Sequence, residues 1–116
     1  SEAKIYPGVW DCSGGHVDLD ETYVEAGMRE VSEELGIVVS VQEIAEPVFY
    51  EDTFYAACKA HVPSDIVFTL KKDEVTQTKW VTVEEILHLV QLHPDNFTPW
   101  VVHAWENLES QLRDAL

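Results

Sequence analysis

The chain has 116 residues, 46% of them apolar and 25% charged, which is the composition of one globular domain with a single core and not of a disordered segment. Seven Lys plus Arg stand against 22 Asp plus Glu, a formal net charge of −15, so the surface repels polyanions and excludes a nucleic-acid polymer held on a basic patch. No apolar run nears the roughly 20 residues of a membrane span, the first residues lack a basic-then-apolar leader, and Cys12 and Cys58 fit no zinc spacing, which together predict a cytoplasmic protein with free thiols and no membrane partner.

Residues 1–9 form a short lead-in with a turn at Pro7-Gly8. Residues 10–12 predict a brief strand that runs into Gly14-Gly15. A helix is expected from Tyr23, because Val24, Met28, Val31 and Leu35 recur as one apolar stripe. Asp20 or Thr22 is placed to cap its start, and Gly36 to end it in a left-handed conformation. Residues 37–41 are β-branched and extended. Residues 46–60 predict two strands about a turn at Glu51-Asp52. Residues 66–70 and 79–83 predict further strands. Two helices close the chain: Val83–Leu92, and a second that starts at Thr98-Pro99 and runs through Val101, Trp105, Leu108 and Leu112. The expected architecture is a single α/β domain over residues 1–116, a sandwich with a mixed sheet.

The chemistry concentrates on the first helix. Glu30, Glu33 and Glu34 fall at i, i+3 and i+4, so three carboxylates share one face while the apolar stripe points elsewhere. Like charges at this spacing cost a few tenths of a kcal/mol per pair. A bound Mg²⁺ or Mn²⁺ offsets that cost, since hard cations take oxygen ligands from a few carboxylates together with substrate phosphates. Read alone, such a run is most often a solvated acidic face. The surrounding residues set this one apart. Gly14-Gly15 lets the backbone approach a ligand closely, and Arg29 offers the planar fork that pairs with a carboxylate.

Residues 15–37 read GHVDLDETYVEAGMREVSEELGI. Gly15, Glu21, Arg29-Glu30, Val31, Glu33-Glu34, Gly36 and Ile37 match every specified position of the Nudix signature G-x5-E-x7-R-E-U-x-E-E-x-G-U, where U is apolar. The chain thus resembles the Nudix hydrolases, and the strands and helix predicted after the box agree with that pattern. The resemblance implies an α/β/α sandwich and metal-assisted water attack on an organic diphosphate, with Glu30, Glu33, Glu34 and the Gly15 carbonyl holding Mg²⁺ or Mn²⁺. It also implies that Arg29 and Glu21 pair to brace the loop against the helix, with Gly14 and Gly36 as structural support. In this family the general base varies between helix and later loop. Glu33 and Glu30 are the helix candidates, and Glu74 is the loop candidate. The implied partner is a small-molecule diphosphate, and family members often form homodimers. His16 is a weaker candidate for phosphate contact. Tyr6, Trp10, Phe49, Tyr50 and Tyr55 are read as core before they are read as a stacking surface.

Two alternatives compete. The run Tyr6-Pro7-Gly8-Val9-Trp10 with Gly15-His16 is similar to the branch of the superfamily that includes isopentenyl diphosphate isomerase, which works with a cysteine and a glutamate. That pattern places the cysteine just before the Gly-His pair, where this chain has Gly14, and Cys12 stands two residues too early. A non-catalytic nucleotide- or protein-binding module normally loses box glutamates that are present here. The short stretch before Gly15 predicts that one or more N-terminal strands of the fold are missing, with an exposed sheet edge near residues 1–6.

Overall fold

Thr22 starts the first helix, α1 (Tyr23–Leu35). Its hydroxyl accepts from the Glu25 amide at 3.1 Å while the Glu25 carboxylate accepts from the Thr22 amide at 2.9 Å. The two bonds form a capping box that satisfies two otherwise unpaired donors. Thr22, not Asp20, is therefore the cap. At the other end Gly36 adopts φ 67°, and its amide returns to the Ser32 carbonyl, the left-handed stop expected of glycine. Of the helix only Ala26 is buried; the stripe of Val24, Met28, Val31 and Leu35 is half-buried where α1 lies against β1.

We describe residues 10–115 of a computed structural model. The strands are short. β1 (Val41–Glu43) pairs antiparallel with β4 (Cys58–Ala60), Val41 opposite Ala60. β2 (Val48–Tyr50) pairs antiparallel with β3 (Thr53–Tyr55), Val48 opposite Tyr55. The β2–β3 turn is Glu51-Asp52, as the alternation predicts. Both residues have positive φ, 47° and 64°, the backbone that matches a two-residue turn to the strand twist.

Several expectations change. Among the described residues the sheet material is two antiparallel pairs, and the parallel component of the mixed sheet is a single bridge, Trp10 to Phe97. Residues 66–70 form no strand. The Thr69 amide donates to the Leu35 carbonyl at 2.9 Å and the Lys71 amide to the Glu34 carbonyl at 3.0 Å. The segment therefore satisfies the open carbonyl end of α1 instead of a ladder. Residues 79–82 are likewise unpaired by any strand and lead into Thr82, which caps α2 (Val83–Leu92) through a second capping box with Glu85. The expected sheet edge near residues 1–6 lies outside the described residues.

A 3-10 turn over Pro94–Asn96 follows α2 and leads to α3 (Pro99–Asn107). The last helix is not continuous: it breaks at Leu108 and resumes as α4 (Glu109–Ala115). Burial carries straight through the break, because Val101, Trp105, Leu108 and Leu112 are all buried together with Leu87, Val90 and Phe97. Trp10, Ile44, Val48 and Tyr55 pack onto that cluster. The main core thus sits under α2, α3 and α4, and α1 rides at its edge, held by the β1 contact and by its two ends.

Candidate metal centre

Three segments meet on the carboxylate face of α1. The first is the loop before the helix. Ser13 Oγ donates to Glu34 Oε1 at 2.6 Å, and the Gly14 amide donates to the same oxygen at 3.0 Å. Gly15 lies so near Glu30 that a Cβ built on it falls 2.6 Å from the carboxylate carbon and Oε1. Real side chains do not approach that closely, so this position admits glycine alone while Glu30 stays where it is. The second is α1 itself. The third is the segment after residue 68, hung from the Glu34 and Leu35 carbonyls, which carries Glu74.

Arg29 organises the front of the site. Its Nε and Nη2 grip Glu21 at 2.8 and 3.0 Å, a bidentate pair, and Nη2 also donates to the His16 carbonyl at 2.9 Å. Nη1 reaches Glu30 at 2.6 Å and Glu33 at 3.4 Å, and Asp18 stands 3.5 Å from Nε. Hydrogen bonds to Arg29 hold the Glu21 carboxyl below its usual range, helped by the Asp18 amide. His16 therefore contributes its backbone oxygen to the brace, and among the described residues no ring contact of His16 is seen.

Glu34 behaves differently. Desolvation raises its carboxyl above the ordinary value, the Ser13 and Gly14 donors pull it back, and the charges of Glu30 and Glu74 push it up again. Glu74 is thus near enough to Glu34 for their charges to interact, although the two lie on different segments. Its own partner is Lys71 Nζ at 3.1 Å.

The donor set suits a hard divalent cation by its chemistry: three carboxylates and a nearby glycine backbone, with Glu34 partly desolvated and facing the charges of Glu30 and Glu74. The side-chain positions are another matter. Among the described residues no three His, Cys, Asp or Glu groups converge at metal-binding distances. Arg29 draws Glu30 and Glu33 toward itself, and the Ser13–Gly14 loop draws Glu34 the other way. Glu30, Glu33 and Glu34 are the residues that would hold a metal, after turning from those partners.

Cys12 is an exposed residue, and its thiol is pushed up to about 11, first by desolvation and then by the Asp11 charge, which keeps it a neutral thiol near neutral pH. Asp11 was no candidate in the sequence. Its Oδ1 accepts from Thr98 Oγ1 at 3.0 Å, Trp100 Nε1 at 2.8 Å and the Cys12 amide at 2.8 Å. Desolvation nevertheless outweighs these donors and raises its carboxyl. A second unforeseen cluster centres on His103, where Tyr55 Oη meets Nδ1 at 2.9 Å and the Tyr50 ring lies 4.2 Å away, beside a cleft of about 450 Å³. Sequence spacing could show neither, since each joins residues far apart along the chain.

The family model for the NUDIX domain matches residues 1–101. The chain is 30% identical over 114 residues to an isopentenyl-diphosphate Delta-isomerase of Cereibacter sphaeroides, covering 89% of this chain and 64% of the relative. It is 29% identical over 126 residues to the isopentenyl-diphosphate Delta-isomerase of Escherichia coli K12, covering 95% and 65%. The chain therefore spans about two thirds or less of the length of these relatives. The crystal structure of DR0079 from Deinococcus radiodurans superposes with a TM-score of 0.67 at 23% identity, over 84% of this chain and 65% of that one, a likeness of fold. The chain belongs to the Nudix family.

Proposed function

We propose that the chain is a Mg²⁺- or Mn²⁺-dependent hydrolase of a small organic diphosphate. One observation carries the reading. Glu30, Glu33 and Glu34 stand together on one face of α1 under the Ser13–Gly15 loop, with Gly15 packed against the Glu30 carboxylate. When bound, the metal would neutralise the phosphates, activate the attacking water and stabilise the leaving oxygen. The chain's own residues supply the rest. The Arg29–Glu21 pair holds the loop at a set distance from α1. The Ser13 hydroxyl and Gly14 amide orient Glu34. Glu33, half-exposed and tied only at 3.4 Å to Arg29, is free to turn toward a water. Glu74, across from Glu34 on a separate segment, is the second group able to take its proton.

The relatives' names favour a second reading, isomerisation of isopentenyl diphosphate. Against it stand Gly14 at the position where that pattern carries its cysteine, and Cys12 as an exposed, neutral thiol. Incubation with isopentenyl diphosphate and with a panel of nucleoside, sugar and isoprenoid diphosphates in Mg²⁺ and Mn²⁺ separates the two. Phosphate release that is lost in Glu34→Gln supports hydrolysis. Isomerised product without phosphate release sinks it.

A further inference from the structure

The chain between Trp10 and Gly15 is fastened at both ends to different parts of the molecule. At one end the Trp10 amide donates to the Asn96 carbonyl at 2.8 Å, and the Thr98 amide donates to the Trp10 carbonyl at 3.0 Å. At the other end Ser13 and Gly14 close on Glu34. Asp11 lies between, and one of its oxygens collects the Thr98 hydroxyl, the Trp100 indole N–H and the Cys12 amide. Thr98 is 3% exposed, so its hydroxyl depends on that oxygen for a partner. The Cys12 amide bond turns the backbone immediately before Ser13.

From this geometry we propose that Asp11 is a positioning residue for the carboxylate site: it pins the strap of residues 10–15 to the start of α3 and so sets where Ser13 and Gly14 meet Glu34. The site consequence rests on the metal-dependent reading above, whereas the local consequence does not. Fixing the strap at Asp11 removes freedom that the Gly14-Gly15 pair would otherwise have, and outer residues of this kind orient the metal-binding group they touch. None of the three donors on Asp11 is itself a candidate ligand, which separates this role from the catalytic residues.

The test compares Asp11→Ala with Asp11→Asn, since asparagine keeps an oxygen able to accept the same bonds. Two quantities are read: amide hydrogen exchange at Gly14 without metal, and Mn²⁺ affinity by electron paramagnetic resonance. Asp11→Ala is expected to speed Gly14 exchange and to weaken Mn²⁺ binding about 10- to 100-fold, with the amides of Leu87 and Val90 in α2 still protected. Asp11→Asn is expected to recover most of both. Wild-type Gly14 exchange in Asp11→Ala overturns the proposal. So does equal acceleration at Leu87 and Val90, because the effect is then global, and so does an alanine-like asparagine variant. If the wild type binds no Mn²⁺ and hydrolyses no diphosphate, the functional reading fails, and the Gly14 exchange alone still decides the role of Asp11.

Discussion

Replacing Gly15 by alanine is the sharpest perturbation of the site, because the three atoms nearest the added Cβ all belong to one functional group. The added Cβ falls 2.6 Å from the carboxylate carbon and Oε1 of Glu30 and 2.7 Å from Oε2. Ordinary contact begins at 3.4 Å, so the carboxylate must retreat by about 0.8 Å, and a displacement near 1 Å in a catalytic constellation costs on the order of 100-fold in rate. Folding is affected far less. The obstacle is the far end of a flexible side chain, and Gly15 is not held at positive φ, so the stability change is expected within about 1 kcal/mol. The assay is kcat/KM for the best diphosphate substrate, beside urea unfolding of the same preparation. Wild-type kcat/KM would refute the placement of Glu30 under the loop, and a rate loss that merely follows a loss of folded protein would refute the claim that the two are separable.

Gly36→Ala should do the reverse. It forces a Cβ into the left-handed region at a cost of about 1–2 kcal/mol, and that Cβ meets Thr69 Cβ and its carbonyl oxygen at 2.8 Å, so thermal unfolding is expected to drop by at least about 5 °C. The lowered carboxyl of Glu21 sets a pH dependence. Its stabilisation is fully present above the ordinary glutamate value and is lost as pH falls through the lowered folded value, so the urea midpoints of wild type and Glu21→Gln should converge on acidification; a constant gap across that window counts against the Arg29 pairing. Mg²⁺ or Mn²⁺ at a hundredfold excess over the dissociation constant should add about 2.7 kcal/mol of stability, read as a raised thermal midpoint that EDTA reverses; a midpoint indifferent to metal would argue against the carboxylate site.

What the sequence made legible is what local chemistry determines. α1 was legible because its stripe and stop are written within a few positions of one another, the apolar recurrence and then Gly36, while its start stayed open between Asp20 and Thr22 until the Glu25 capping bonds decided for Thr22. The Arg29–Glu21 pair was available only through the resemblance. Two predicted strands failed for a common reason. Residues 66–70 and 79–83 have the residues of extended chain, but a strand needs a partner, and here the partner of Thr69 and Lys71 is the end of a helix. The break at Leu108 escaped notice because the apolar recurrence from Val101 to Leu112 continues across it, so the core sees one face although the backbone makes two helices. Asp11 was invisible because Thr98 and Trp100 lie 87 and 89 residues away.

The strap of residues 10–15 gives the length of one short stretch of chain a meaning of its own. With Trp10 fastened beside Phe97 and Gly14 fastened to Glu34, the residues between them act as a spacer of fixed gauge. An added residue must bulge or drag one anchor out of register, and a deleted one must leave an anchor unreached. The tempo at which this segment accepts insertions should therefore be far slower than that of an ordinary surface loop.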